Sequence, residues 1–471
     1  EMKKTIYILI IIFNLVISSA IFAQEKEDIL TQQEFIDIVI KYHPIAKQAD
    51  INIEKAKADI LIARGGFDPN ATASITQKTF DGIEYYNSVN PEIRIPTWYG
   101  IELIAGAENL SGTRNNQEET IGQTSYAGIV VPLAKNLLID KRRAALQTAK
   151  VFKTLSEIEK RSILNDLLLQ ATKTYWDWAY QYQQMTILKN LISVNEKRFN
   201  LIKISFRQGD KPALDTTEAL TQLQTFQYLQ QEATLLFKNA TLDLNTFLWK
   251  EDQEAFSLPD IIVPDSIWIT ENIADKSLPI LEELVKQSRL AHPDIQQYNF
   301  KIDALTIDRK LKFQELLPKI DFKYNQLGKG YNILNAKSGV LFDNNFQYGI
   351  NVGIPLRLSK GRGEYKKAKL KINETALNRN LKTVLIENKI KANYNELLTL
   401  RSQFILLEKS FSNFQTLQRG EELKFFNGES SLFLVNSREN KSLEAMQKLL
   451  KTKTEYYKAF NNLLWASGVL N

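Results

Sequence analysis

The chain has few of the residues on which most catalytic and metal sites depend. Its 471 residues include no cysteine and only two histidines. The absence of cysteine excludes disulfides, zinc–thiolate sites and a lipid anchor on an N-terminal cysteine. Beyond residue 23 there is no run of 18 apolar residues, so we expect no transmembrane helix. Membrane strands remain compatible with the sequence, because their only signal is alternation.

Positive and negative charges nearly balance. The chain has 60 basic and 54 acidic residues and a formal net charge of +6, spread along its length, so we predict no nucleic-acid partner. At the N-terminus, Lys3 and Lys4 precede a short apolar run, Ile6 to Ile17, and then small residues up to Ala23. This pattern predicts a secretory signal over residues 1–23. The alternative is a retained membrane anchor, although the run is shorter than the ~20 residues a span requires.

Three pairs of landmarks recur in the same order, which indicates an internal duplication. A His-Pro pair is followed 25 residues later by a second proline, a Pro-Leu pair precedes a long helical pattern, and a tyrosine lies 34 residues before a glycine. The pairs are His43-Pro44 with Pro69 and His292-Pro293 with Pro318, Pro132-Leu133 and Pro355-Leu356, and Tyr175 with Gly209 and Tyr394 with Gly428.

The duplication divides the chain into a first repeat, 24–249, a linker, 250–279, and a second repeat, 280–471. Apolar residues spaced by three and four predict helices, two of them about 60 residues long, whereas apolar–polar alternation predicts two strands per repeat. The predicted helices are 31–65, 142–205 and 212–249, then 280–316, 364–426 and 431–465. The predicted strands are 70–80 and 123–133, then 319–327 and 346–356.

The last predicted strand shows the alternation most clearly. Its apolar residues, which we predict to face lipid, are Tyr348, Ile350, Val352 and Ile354. Four strands per chain would leave open edges, which lipid does not tolerate, so we expect oligomerisation; three chains would supply twelve strands. The first repeat has 26 more residues between its prolines than the second. They could form two further strands or a long loop, and we favour an extended, partly extracellular hairpin.

No catalytic site is predicted. The two histidines lie 249 residues apart at equivalent repeat positions, which favours a structural role over a catalytic or metal pair. Gly361-Arg362-Gly363 lacks the spacing of a phosphate-binding loop, and no paired carboxylate motif is present. We therefore expect a protein that is not an enzyme and has no cofactor.

The ordered set of landmarks resembles the TolC family of outer-membrane factors, including a turn of the form aromatic-x-x-Gly between paired helices. These turns read Phe206-Arg207-Gln208-Gly209 and Phe425-Phe426-Asn427-Gly428. The resemblance implies a mainly α protein with a membrane β-barrel, in which a homotrimer forms a 12-stranded barrel and an α-helical periplasmic tunnel. It also implies an outer-membrane location, no catalysis, and two protein partners: a periplasmic adaptor (membrane fusion protein) and an inner-membrane efflux pump.

The resemblance further implies a periplasmic gate at the helical turns. Asp215, six residues after the first turn glycine, matches an aspartate of the family, although a solvated helix-start residue is an equally good interpretation. Phe425 and Ser430 stand where TolC has its gate tyrosine and arginine, and Leu434 and Ser437 stand where it has selectivity aspartates. The predicted gate residues are Asp210, Lys211, Asp215, Glu218, Phe425, Ser430 and Leu434.

Three functions are compatible with these features. The first is a passive exit duct for small molecules in a tripartite efflux system. A type I protein-secretion outlet would share the same fold. A periplasmic coiled-coil adaptor belongs to another class, but two hairpins with strands at matching places differ from the single hairpin expected of an adaptor.

Overall fold

The structure, a computed structural model, describes residues 28–113, 120–331 and 345–470. The predicted signal, 1–23, lies outside these residues. The chain forms two compact units: one comprises 28–48, 163–288 and 386–470, and the other 49–162 and 289–385. Within the described ranges, no helix is both long and apolar enough to cross a membrane.

The two halves contain helices of matching length, as the duplication predicts. Each half has a helix of 11 residues, one of 22 and one of 68, followed by a returning helix of 33 or 36 residues. The first four are α1 (Gln32–Tyr42), α2 (Pro44–Gly65), α3 (Lys141–Gln208) and α4 (Ala213–Asn245). After the short α5 (Ile267–Thr270), the second four are α6 (Leu281–Ala291), α7 (Pro293–Gln314), α8 (Ser359–Phe426) and α9 (Leu432–Ser467). The bounds predicted for the four longest helices agree within five residues.

The helices predicted over 31–65 and 280–316 are each two helices, which corrects the prediction. The break falls at His43 and His292, whose backbones are extended, with ψ of 135° and 126°. The following prolines are the reason, because a proline sterically disfavours the helical conformation of the residue before it. Each histidine Nδ1 then accepts a hydrogen bond from a backbone N–H two residues on, 3.2 Å and 3.1 Å away. Both histidines therefore cap the helix that follows.

The strands of the second unit form one antiparallel sheet in the order β2-β3-β4-β5-β7-β8. They are β2 (Asn70–Phe80), β3 (Ile83–Pro96), β4 (Glu102–Ser111), β5 (Gly122–Pro132), β7 (Lys319–Lys329) and β8 (Phe346–Gly353). β2, β5, β7 and β8 are the four predicted strands. The 26 surplus residues supply two further strands, β3 and β4, in place of the extracellular hairpin that we favoured. β8 ends at Gly353, so Ile354 lies outside the strand.

The strand register gives the sheet one apolar face. Tyr348 and Ile350 of β8 lie opposite Tyr324 and Phe322 of β7, and Tyr324 in turn lies opposite Ile129 of β5. Because side chains alternate between faces, these residues share one side, while Gln347, Asn351 and Asn325 point to the other. The three predicted lipid-facing residues within β8 are all exposed in the single chain. The sheet therefore separates apolar from polar side chains.

The linker contributes to the core of the first unit. β6 (Ile262–Pro264) pairs in parallel with β1 (Asp28–Leu30). Trp268 of α5 packs edge-on against Trp176, which itself stacks on Tyr457 with ring centroids 4.3 Å apart. The Tyr175 hydroxyl donates to the backbone carbonyl of Leu30 over 2.9 Å. These aromatic residues therefore pack α3, α9 and the linker against one another.

Candidate functional site at the hairpin tips

Two helical turns, both in the first unit, end the long helices in the same way. Gly209 and Gly428 have φ of +85° and +79°, a conformation that favours glycine. The N–H of the residue after each glycine donates to the carbonyl five residues back, Asp210 to Ser205 over 2.9 Å and Glu429 to Lys424 over 2.8 Å. This is the Schellman arrangement, which satisfies the last helix carbonyls and reverses the chain. The predicted turns are therefore built identically.

The structure brings several predicted gate residues together. The Lys211 ammonium lies 4.3 Å from the centre of the Phe425 ring, so a cation from the first turn contacts an aromatic ring from the second. Beneath this contact, Phe425 packs against a small apolar cluster formed by Ile202, Ala219 and Leu432. The two hairpin tips of one chain are thus packed against each other.

Glu218 is the predicted gate carboxylate with a perturbed environment. Partial burial raises its pKa above 4.5, the Asp215 charge adds to the increase, and a hydrogen bond from Asn436 opposes it. The Asn436 amide lies 3.3 Å from the Glu218 carboxylate. Asp215 lies in the first turn of α4, where its N–H donates to the Pro212 carbonyl, as expected of a helix-start residue. Asp210 is exposed beside the turn.

The remaining predicted residues, Ser430 and Leu434, lie at the start of α9. The Ser430 hydroxyl donates to the Glu421 carboxylate of α8 over 2.5 Å, and that hydrogen bond lowers the pKa of Glu421. The Leu434 N–H donates to Ser431, which caps α9, and the Leu434 side chain is exposed.

Sequence reasoning missed a buried polar cluster close to the tips. Arg198 of α3 forms a bidentate pair with Glu439 of α9, at 2.9 and 3.1 Å, and Glu439 is 2% exposed. Asn195 of α3 lies 3.3 Å from both carboxylate oxygens, and Gln222 of α4 lies 3.5 Å from one. The guanidinium also lies 3.5 Å from Glu422 of α8. All four hairpin helices therefore contribute to one cluster, the Arg198–Glu439 cluster.

A signal for this cluster was present in the repeat. Arg198 lies 11 residues before Gly209, and Glu439 lies 11 residues after Gly428. The equivalent positions in the other half are Leu417 and Leu220. Each half thus has one charged residue at a position where the other half has a leucine, and the two charges have opposite signs. Because both lie at the same distance from a turn, this pattern predicts an ion pair buried between the hairpins.

The described residues hold no group of three His, Asp or Glu residues that could bind a metal. In the first unit, His43 stacks on Phe247, with ring centroids 5.8 Å apart, and burial lowers its pKa. The hairpin tips hold a cation–aromatic pair and exposed carboxylates, with the buried Arg198–Glu439 pair close by.

Comparison of the fold with solved structures decides its class. The chain matches a CusC structure with a TM-score of 0.65 and 12% identity over 93% of this chain and 91% of that one. It matches the Campylobacter jejuni CmeC outer membrane channel with a TM-score of 0.61 and 16% identity over 95% of this chain and 90% of that one. It matches the open state of the Neisseria gonorrhoeae MtrE outer membrane channel with a TM-score of 0.62 and 15% identity over 93% of this chain and 89% of that one. The chain has the TolC-like fold of outer-membrane channels.

This match confirms the predicted fold class, a mainly α, TolC-like protein whose strands form a sheet. No protein-family model and no curated protein sequence matches the chain. At 12–16% identity the likeness lies in the course of the backbone, so individual gate residues do not transfer with it. The channel fold nevertheless accounts for the combination of 68-residue helices and a two-faced sheet in one chain.

Proposed function

We propose that the chain is an outer-membrane efflux channel of the TolC family. It assembles as a homotrimer and acts as a passive exit duct for small molecules, driven by an inner-membrane transporter through a periplasmic adaptor. The observation that carries this proposal is the two-faced sheet joined to duplicated long hairpins. A sheet with one exposed apolar face and one polar face suits a wall between lipid and water. The similarity to outer membrane channels over more than nine-tenths of the chain supports the same interpretation.

The hairpin tips form the periplasmic gate in this proposal. In a trimer each exposed charge becomes a ring of three, so Asp210, Asp215 and Glu218 would present converging carboxylates. Lys211 is held by Phe425 through a cation–aromatic contact, which is weaker than a buried ion pair and therefore suited to opening. Opening would separate the tips above the Arg198–Glu439 cluster, which keeps the two hairpins of each chain together.

The test is to express the full chain in a Gram-negative cell, extract it from outer-membrane fractions with detergent, and reconstitute it in a planar bilayer. We expect a stable oligomer with ion conductance that increases in the Lys211→Ala variant, because the tip contact is lost. Lys203→Ala is the control, since Lys203 contacts Phe199 on its own helix, one turn away. Release as a soluble monomer on osmotic shock would instead identify a periplasmic adaptor.

The protein-secretion alternative shares every structural feature described above. A deletion strain separates the two: loss of an efflux duct raises sensitivity to dyes and detergents, whereas loss of a secretion outlet removes a protein from the culture medium. We expect the first outcome.

A further inference from the structure

The two surplus strands lie inside the sheet. β3 and β4 lie between β2 and β5 in the sheet. They therefore separate β2 from β5, the other strand predicted for the first repeat. The register is continuous through the insertion: Ile93 of β3 lies opposite Ala71 of β2 and Ala105 of β4, and Ala105 lies opposite Ala127 of β5. β3 and β4 are therefore structural members of the wall and not an appended hairpin.

The surplus strands also maintain the separation of faces. On the face that contains Ile129, Tyr324 and Ile350, they present only apolar residues over the central part of each strand. These are Val89, Pro91, Ile93 and Ile95 on β3, and Leu103, Ala105 and Ala107 on β4. Ile93 and Leu103 are 50% and 44% exposed, so about half of each side chain is open to the surroundings in the single chain. The apolar face therefore extends across the central part of the sheet from β2 to β8, with Gln326 of β7 as a polar member between Ala127 and Phe346.

The opposite face of the surplus strands is polar and internally paired. Arg94 of β3 lies 2.9 Å from Glu92 and 3.1 Å from Glu102 of β4. The Tyr126 hydroxyl of β5 donates to Glu92 over 2.9 Å. A face with this many charged side chains is unfavourable against lipid hydrocarbon, whereas a water-filled lumen accommodates it. Ile104 and Leu110 are the apolar exceptions on this face of β4, and they are 2% and 1% exposed.

The outermost strands of the sheet, β2 and β8, need partners. Every residue of both strands is exposed, and neither has a second neighbour among the described strands. An unpaired strand edge is not stable in lipid, so the partner is a further strand. With six strands in alternating direction, β8 of one copy runs antiparallel to β2 of the next. A second copy of this chain therefore satisfies both edges.

We propose that β3 and β4 are additional membrane-crossing strands, and that three copies joined β8 to β2 close a wall of eighteen strands. The resemblance to the TolC family implies twelve, so the surplus segment would add six strands to the wall. Walls of about 16–18 strands leave an aqueous channel in other outer-membrane proteins. This inference rests on the proposed function, because it requires the sheet to lie in a membrane.

The first experiment asks whether β3 lies in lipid, and it exploits the absence of cysteine from the chain. Single variants Ile93→Cys and Ser88→Cys carry a thiol-reactive fluorophore on opposite faces of the same strand. In vesicles we expect nitroxide-labelled lipid to quench the fluorophore at 93, and aqueous iodide to quench the one at 88. Quenching of both only by iodide would place β3 outside the membrane and overturn the inference, even if the channel still conducts.

The second experiment derives the number of strands from the number of chains in the particle. Native mass spectrometry of the detergent-extracted particle gives the number of chains. For cross-linking between chains, a cysteine at Ile75 of β2 is combined in turn with one at Tyr348, Ile350 or Val352 of β8. Within one chain these edges are separated by four strands, so disulfides form only between copies. We expect three chains and a cross-linked ladder ending at three. A two-chain particle would close twelve strands and refute the count of eighteen. A protein absent from the outer membrane would refute the proposed function itself.

Discussion

At the scale of single residues, the Arg198–Glu439 pair is the best-defined contact near the tips. Both side chains are largely removed from water, and the carboxylate is held by the guanidinium on one side and by Asn195 on the other. Burying two charges costs free energy that only a well-formed pair offsets, so breaking the pair is far more destabilising than losing an exposed one. The pair therefore restricts the two hairpins to one arrangement.

We expect Glu439→Gln to lower the free energy of unfolding by about 3 kcal/mol, because Arg198 loses its bidentate partner in a buried position. Glu444→Gln is the matched control. Glu444 pairs with Lys441 at 3.0 Å, but both side chains are more than half exposed, so we expect a change of about 0–1 kcal/mol. The measurement is thermal unfolding in detergent. The double variant Arg198→Met, Glu439→Leu should recover most of the loss, and equal effects of the two glutamate variants would contradict the prediction.

Lys453 gives a pH dependence at the same scale. It is 3% exposed, and its ammonium donates to the backbone carbonyls of Ile269, over 2.8 Å, and Glu271. Burial lowers its pKa to about 8, although the Glu271 and Glu408 charges partly oppose the change. Between about pH 8 and 10 the folded chain has released a proton that the unfolded chain still holds, so the protein becomes more stable as the pH rises.

We expect the free energy of unfolding to rise in this window by at most about 1.4 kcal/mol per pH unit relative to Lys453→Met, which cannot titrate. Subtracting the free energy of unfolding of the variant removes the contribution of nearby tyrosines to the pH dependence. Tyr457, whose pKa is raised by burial and by Glu271, is present in both proteins. The check is a series of denaturant titrations across the window. A difference that does not vary with pH would show that the amine stays charged.

At the scale of elements, the hairpin turns depend on two glycines. Gly209 and Gly428 have space for a Cβ, with no atom within 4 Å, so any cost of Gly→Ala arises from the positive φ alone. We expect Gly209→Ala and Gly428→Ala each to destabilise the protein by about 1 kcal/mol. Gly420 also has open space but lies within α8, and Gly420→Ala should stabilise by up to about 1 kcal/mol. Unfolding midpoints that shift in the same direction at all three positions would contradict this.

The elements also show where sequence reasoning succeeds and where it fails. The long helices were predictable because one apolar stripe continues for many turns, and tertiary contacts have little influence on such a pattern. The breaks at His43 and His292 were missed because the apolar spacing continues across them, although Pro44 and Pro293 carried the information. Two further strands were an open alternative for the surplus residues, but Pro91 lies in the middle of β3, and a proline normally argues against an interior strand. In the structure, the β3–β4 register omits Pro91 and resumes at Glu92.

At the scale of the whole chain, the duplication was readable from sequence because equal spacings survive where residue identities do not. The polar cluster near the tips was not found, because its members are separated by up to 244 residues and meet only when two hairpins pack. The gate residues Asp210, Lys211, Asp215, Glu218, Phe425, Ser430 and Leu434 remain predictions. They were assigned through the resemblance to the TolC family, whereas their partners required coordinates.

The even number of strands has a consequence for how the chain is threaded. A polypeptide that crosses a layer an even number of times returns to the compartment from which it set out. In the proposed wall β2 through β5 make four crossings and β7 with β8 make two, so each repeat would begin and end on one side. Inserting hairpins in pairs of strands therefore allows the wall to widen during evolution without moving any helix to the opposite compartment. A single added strand would have inverted everything downstream of it.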